Sequence, residues 1–341
     1  MPVNAPARPL QPKDYASDQE VRWCAGCGDY AVLRAVERVL AEIGADPANT
    51  VFVSGIGCAA RFPYYVATYG FHGIHGRAPA IATGVKLANP ELDVWVIGGD
   101  GDMLSIGGNH LAHALRRNVD LTLLLFNNEV YGLTKGQLSP TAPLGSRTPS
   151  SPLGSVESPL SACRFALGAG ARFVARAVDT QKDLPVILRA AHDHPGTGFV
   201  EILQNCIVYN DGAFAEITDR EVAAERQIHP VHGEPLLFGA DRRKGLRLAA
   251  DGSGLEVVEI GPDGEGMEEV LRHDRTNPVL AGMLAALEPP MPVAIGVIYD
   301  NPAPASYERA LRAQEEQERE RLGEADLGAM LRQGPVWMVT A

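Results

Sequence analysis

Between Tyr30 and Leu203, short apolar runs alternate with segments of helical periodicity, and this alternation constrains the fold more than any other feature. Within Tyr30 to Ile43, Val32, Val36, Val39, Leu40 and Ile43 form a helical stripe. Val51 to Val53 reads as a strand ending at Gly55, and Ala80 to Ala88 as a helix closed by Asn89-Pro90. Further strand signals lie at Val94 to Ile97, Leu121 to Phe126, Phe173 to Ala177 and Phe199 to Leu203. Helical ones lie at Asn109 to Arg117, Pro159 to Leu167 and Leu184 to His192. Strands separated by helices imply crossover connections. The expected fold is therefore α/β, a doubly wound and mostly parallel sheet.

Two segments break the rhythm. Gly132 to Ser158 is rich in Ser, Thr, Pro and Gly and has no period, as functional loops often do. After Gly239 come a polar stretch, a short apolar piece at Pro292 to Tyr299 and a charged helix from Tyr307 to Leu322. In that helix Glu308/Arg312 and Glu318/Arg321 are spaced for surface pairs. The expected division is an N-terminal arm over 1–22, a binding domain over 23–239 and a C-terminal extension over 240–341. The extension is expected to pack on the main domain or on a partner subunit.

The 341 residues carry a net charge of −12. Nonspecific nucleic-acid binding needs clustered Lys and Arg, and anionic membranes repel an acidic surface, so neither partner is expected. No apolar run approaches a membrane span, and Met1 to Arg22 has no apolar signal core. The expectation is a cytoplasmic protein whose five cysteines stay reduced.

Cys24 and Cys27, in Trp23-Cys24-Ala25-Gly26-Cys27-Gly28, are spaced to face one metal. Cys58 and Cys206 follow at expected strand ends, where loops converge on one sheet edge. Four thiolates suit a [4Fe–4S] cluster or a structural zinc; redox thiols and buried fillers are the alternatives. Cys163, in an apolar stretch, reads as core filler.

Gly99-Asp100-Gly101-Asp102 follows one strand and Asn127-Asn128 the next, with 25 residues between Gly101 and Asn127. One βα crossover fills that gap, so Asp100 and Asn128 belong at the same edge of neighbouring strands, the binding edge of an open sheet. A carboxylate and an amide oxygen are hard ligands suited to Mg²⁺ with phosphate oxygens, and the glycines admit a diphosphate. Gly55-Ile56-Gly57-Cys58-Ala59-Ala60 weakly mimics a dinucleotide fingerprint. The acidic residue that would hold a ribose is missing, because Tyr69 to Ala82 has no Asp or Glu.

Together these segments resemble a known family. Gly99-Asp100-Gly101 with Asn127-Asn128 is similar to the thiamine diphosphate motif. Further segments resemble the β subunit of the 2-oxoacid:ferredoxin oxidoreductases. They are Cys24 to Cys27, Ile56-Gly57-Cys58, His75-Gly76-Arg77, Lys86 to Pro90, Asn128 to Thr134 and Gly136 to Thr141. The resemblance runs from about Trp23 to Phe238 and more loosely through Pro292 to Tyr307.

It implies a thiamine diphosphate-binding domain of the pyrophosphate type, with Asp100, Asn128 and the carbonyl of Val130 as Mg²⁺ ligands. Ile56, Gly57, Cys58, Ala59, Gly101, Asp102, Gly132 and Leu133 match positions around thiamine diphosphate. Cys24, Cys27, Cys58 and Cys206 match the ligands of a [4Fe–4S] cluster, and His75 a position near the reactive carbon. The implied reaction is oxidative decarboxylation of a 2-oxoacid, with electrons passing to ferredoxin and the acyl group to coenzyme A.

The resemblance implies that the glutamate that activates the cofactor belongs to a domain outside this chain, supplied by an α subunit. Lys135 follows the cofactor-facing stretch and offers a cation for a distal substrate carboxylate, which favours 2-oxoglutarate over pyruvate. Rival readings are a pyruvate-preferring member, a non-oxidative thiamine diphosphate decarboxylase and a zinc-stabilised scaffold. Arg22 and Arg61 are candidates for ferredoxin docking.

Overall fold

The computed structural model describes residues 8–335 together with Trp337 and Val339, so the first seven residues of the expected arm lie outside it. Seven strands form the main sheet: β1 (Thr50–Ser54), β2 (Tyr69–His72), β3 (Asp93–Gly99), β4 (Leu121–Asn127), β5 (Phe173–Val178), β6 (Thr197–Leu203) and β7 (Gly296–Asp300). Their order is β7-β5-β6-β4-β3-β1-β2. Every neighbour is parallel except β7, which runs antiparallel to β5. β1, β4, β5 and β6 are buried along their whole length, as parallel strands covered on both faces must be.

The helices include α1 (Asp29–Ile43), α2 (Ala78–Ala88), α3 (Asp100–Leu104), α4 (Gly108–Arg117), α5 (Ala162–Gly168), α6 (Leu184–Asp193), α7 (Pro278–Ala285) and α8 (Tyr307–Leu322). Side chains alternate across the sheet. Val51, Val53, Val94 and Val96 face the layer holding α2, α4, α5 and α7, while Phe52, Trp95 and Ile97 face α1 and α6. Tyr15, fully buried, donates its hydroxyl to the Ala45 carbonyl at 2.6 Å and so ties the N-terminal segment to the end of α1.

Several boundaries differ from the sequence reading. The glycine-rich turn after β3 is helical at once, as α3. The helix expected from Pro159 starts at Ala162, after an extended Ser161. Strand β2 was not expected, because all four residues are exposed at an edge and show no alternation. At the start of the 132–158 segment a short hairpin forms from two-residue strands, Val130–Tyr131 against Gln137–Leu138.

The region after Gly239 does two things. Leu237–Phe238, Lys244–Leu248 and Leu255–Glu259 make a small antiparallel sheet, and β7 completes the edge of the main one. The Glu318–Arg321 pair forms, at 2.7 Å, but Glu308 does not meet Arg312. Glu308 is buried and accepts from the backbone of Asp120, while Arg312 reaches Glu91. Among the described residues no helix is long and apolar enough to cross a membrane.

Candidate active site

After β1 the chain continues to β2 at the outer edge, whereas after β3 it moves inward to β4. The connections diverge between β1 and β3, and a crevice opens at their carboxyl ends. A cavity of about 330 Å³ lies there. Its wall includes each of the eight positions expected around the cofactor: Ile56, Gly57, Cys58, Ala59, Gly101, Asp102, Gly132 and Leu133. Asp100, Asn128, Val130 and His75 line it too.

Asp100, the first residue of α3, is almost fully buried. One carboxylate oxygen, Oδ2, accepts from the hydroxyls of Ser139 and Thr141, both at 2.5 Å. Burial outweighs these bonds and pushes its carboxyl up from the ordinary value. Asn128 turns Oδ1 to the Val130 N–H and donates Nδ2 to Gln204 Oε1 at 2.8 Å. The Val130 carbonyl accepts from the Gly132 N–H at 3.0 Å. The three donors expected to meet one cation therefore share one wall, and their oxygens are hard.

Asp102 lines the cavity, but its Oδ1 is engaged within the chain. It accepts from Ile56 N (3.1 Å), Gly76 N (2.7 Å) and His75 Nδ1 (2.7 Å) and so joins the loops after β1, β2 and β3. Its Oδ2 is buried without a partner. Lys135 is not part of the cavity wall. It is exposed, at φ 77°, in the turn of the short hairpin, and Gly132, Leu133 and Thr134 are the residues of that turn that line the cavity.

Three cysteines crowd the same wall from behind. A Cβ on Gly132 would sit 3.6 Å from the sulfurs of both Cys58 and Cys206, so these sulfurs are separated by no more than twice that distance. Cys27 receives Gln204 Nε2 at 3.4 Å, and Cys24 is the exposed member. Burial, then Asp29 and Cys206, push the Cys58 thiol up to about 11. Burial and Asp29 raise Cys27 as well. Among the described residues no three His, Cys, Asp or Glu side chains converge tightly enough to hold a single metal ion. Arg61 donates to the Arg22 carbonyl at 3.1 Å, which places both arginines next to the loops of Trp23 and Cys58.

Sequence reasoning missed several contributors. Asp29 opens α1, lines the cavity and is raised to about 7 by burial and then Asp179. Glu129 is raised to about 8 by burial, then Asp100 and Glu201. Ser139 and Thr141 sit in the segment Gly136 to Thr141, whose motif was visible without its role. Cys163 is fully buried as expected, but its thiol also donates to Glu201 Oε2 at 3.1 Å.

Residues 55–202 match the family model described as thiamine pyrophosphate enzyme, C-terminal TPP binding domain. The chain is 53% identical over 268 residues to the 2-oxoglutarate oxidoreductase subunit KorB of Mycobacterium tuberculosis, covering 78% of this chain and 70% of that one. This chain is a 2-oxoacid:ferredoxin oxidoreductase β subunit by family. A β subunit of 2-oxoacid:ferredoxin oxidoreductase from Aeropyrum pernix is 48% identical over 195 residues, 57% of this chain and 61% of its own. Among solved structures, 2-oxoglutarate:ferredoxin oxidoreductase from Magnetococcus marinus, with 2-oxoglutarate, coenzyme A and succinyl-CoA bound, aligns with a TM-score of 0.76. It is 32% identical, with 96% of this chain and 97% of that one covered. The family is thus an oxidoreductase family with a thiamine diphosphate domain, and the rival scaffold and non-oxidative readings fall away.

Proposed function

We propose that this chain is the β subunit of a cytoplasmic 2-oxoglutarate:ferredoxin oxidoreductase, working with an α subunit and coenzyme A. The observation that carries the reading is one shared wall. The oxygen donors Asp100, Asn128 and Val130 and the sulfurs of Cys58 and Cys206 meet at the Gly132 loop.

In this reading Asp100, Asn128 and the Val130 carbonyl hold Mg²⁺ and, through it, the diphosphate. Bound thiamine diphosphate supplies an electron sink for decarboxylation. Ile56 to Ala59, Gly101, Gly132 and Leu133 exclude water from it. His75 presents its free ring nitrogen at the cavity, held by Asp102. Cys24, Cys27, Cys58 and Cys206 would hold a [4Fe–4S] cluster, as four thiolates of this kind can. Thiols kept protonated by burial and by Asp29 would release their protons to solvent when a positively charged group binds, which is how metal-ligating sulfur behaves. Arg22 and Arg61, near the exposed Cys24, would offer the cationic patch on which ferredoxin docks. Lys135, outside the wall, reaches the distal carboxylate of the substrate only once the hairpin turn is covered by the partner subunit.

The test is coenzyme A-dependent dye reduction by the anaerobically purified αβ complex with 2-oxoglutarate and with pyruvate. Preference for 2-oxoglutarate that Lys135→Ala abolishes is the expected result. A preference for pyruvate overturns the substrate, and an unchanged preference in the variant overturns the role of Lys135.

A further inference from the structure

Gln204, the first residue after β6, is 1% exposed, and both its amide hydrogens and its carbonyl oxygen are engaged. Oε1 accepts from Asn128 Nδ2 at 2.8 Å. Nε2 donates to Cys27 Sγ at 3.4 Å and to its neighbour's carbonyl, Asn205 O, at 2.6 Å. Its backbone N–H is fixed on the Asn127 carbonyl at 2.8 Å, so the side chain leaves from a rigid strand end.

The direction of this chain of amides is set by one backbone group. The Val130 N–H points at Asn128 Oδ1, so Asn128 turns its nitrogen to Gln204. Gln204 must then accept with its oxygen, and its nitrogen is left to face sulfur. Two amide side chains in series therefore carry polarisation from the Val130 turn to Cys27. Hydrogen-bonded amides in a dry environment polarise one another in this way. An N–H aimed at a ligating sulfur stabilises added negative charge there, and hydrogen bonds to sulfur are one of the levers that set iron–sulfur potentials.

We infer that Gln204 is a positioning residue that joins the cation-side amide Asn128 to the cluster-side sulfur of Cys27 and raises the reduction potential of the cluster held there. The inference rests on the cluster and cation roles proposed above. It adds that the two are connected through one buried side chain that touches neither the substrate nor solvent.

The experiment is an EPR-monitored redox titration of the αβ complex carrying wild-type β chain, Gln204→Leu or Gln204→Met, with iron and acid-labile sulfide measured on each sample. The expected result is unchanged iron content with a more negative midpoint in both variants. Cys163→Ala, whose thiol bonds to Glu201 and not to Gln204 or Cys27, keeps the wild-type midpoint. An unchanged or more positive midpoint at full iron content overturns the inference. Loss of iron from both variants also overturns it, because Gln204 is then a structural clamp. A wild-type complex with no iron and no EPR signal overturns the cluster reading itself, which separates the two failures.

Discussion

Asp102 receives the Nδ1 of His75 at 2.7 Å, and the same oxygen receives the backbone N–H of Gly76 at the same distance. A ring nitrogen bonded to a carboxylate oxygen carries the proton, so the other nitrogen is the one presented to the cavity. Asp102 therefore acts on the site through a histidine and two loops.

Asp102→Ala removes the acceptor for Ile56 N and Gly76 N together with the anchor for His75. Unsatisfied buried donors cost about 1–3 kcal/mol each. The expected outcome is a loss of roughly 2–4 kcal/mol in chemical denaturation, with turnover falling at least about tenfold. Wild-type stability in this variant refutes the tether.

Gly101 has no space for a side chain, because a Cβ there falls on the edge of the Tyr131 ring, whose hydroxyl donates to the Gly101 carbonyl at 3.0 Å. Overpacking of this kind costs about 1–3 kcal/mol. Gly101→Ala should weaken thiamine diphosphate binding by roughly tenfold in a fluorescence titration. Adding Tyr131→Ala should recover part of that affinity; a further loss contradicts the steric account.

Iron analysis separates the five cysteines. About four irons per chain are expected for the wild type, and Ser at position 24, 27, 58 or 206 should lower that number. Cys163→Ser should leave it unchanged, since Cys163 lies in the core against Glu201.

The sheet was legible because its strands are buried on both faces and read as unbroken apolar runs. The cavity wall was legible because Gly-Asp-Gly and Asn-Asn mark the ends of adjacent strands. What escaped was set by tertiary contact. Strand β2 pairs through its backbone alone, with exposed side chains. Gln204 and Asp29 gain their roles from loops distant in sequence. Lys135 was placed by chain proximity, and a left-handed turn carries it outward.

Arg176 pairs with Glu201 at 2.8 Å, and both are buried. Burial pushes the Glu201 carboxyl up, but the guanidinium and the hydrogen bonds from Arg176, Asn127 and Cys163 outweigh it and hold the carboxyl below its ordinary value. Its contribution to stability is complete above the unfolded value near ~4.3 and is lost as pH falls through the lower folded value. Arg176→Met should cost about 3–5 kcal/mol near neutrality, because it leaves Glu201 charged and without its cation. The gap between variant and wild type should narrow as denaturation is repeated from about pH 7 down to about pH 3. A gap that widens on acidification reverses the assignment.

Strand β7 has a consequence for how the chain comes to be folded. Its partner β5 is synthesised more than a hundred residues earlier and lies at the sheet margin until β7 arrives. During that interval β5 offers an open row of backbone donors and acceptors, the template on which chains aggregate. The margin closes only once residues 296–300 have emerged and paired. That strand thus acts as an intramolecular chaperone for the sheet that precedes it.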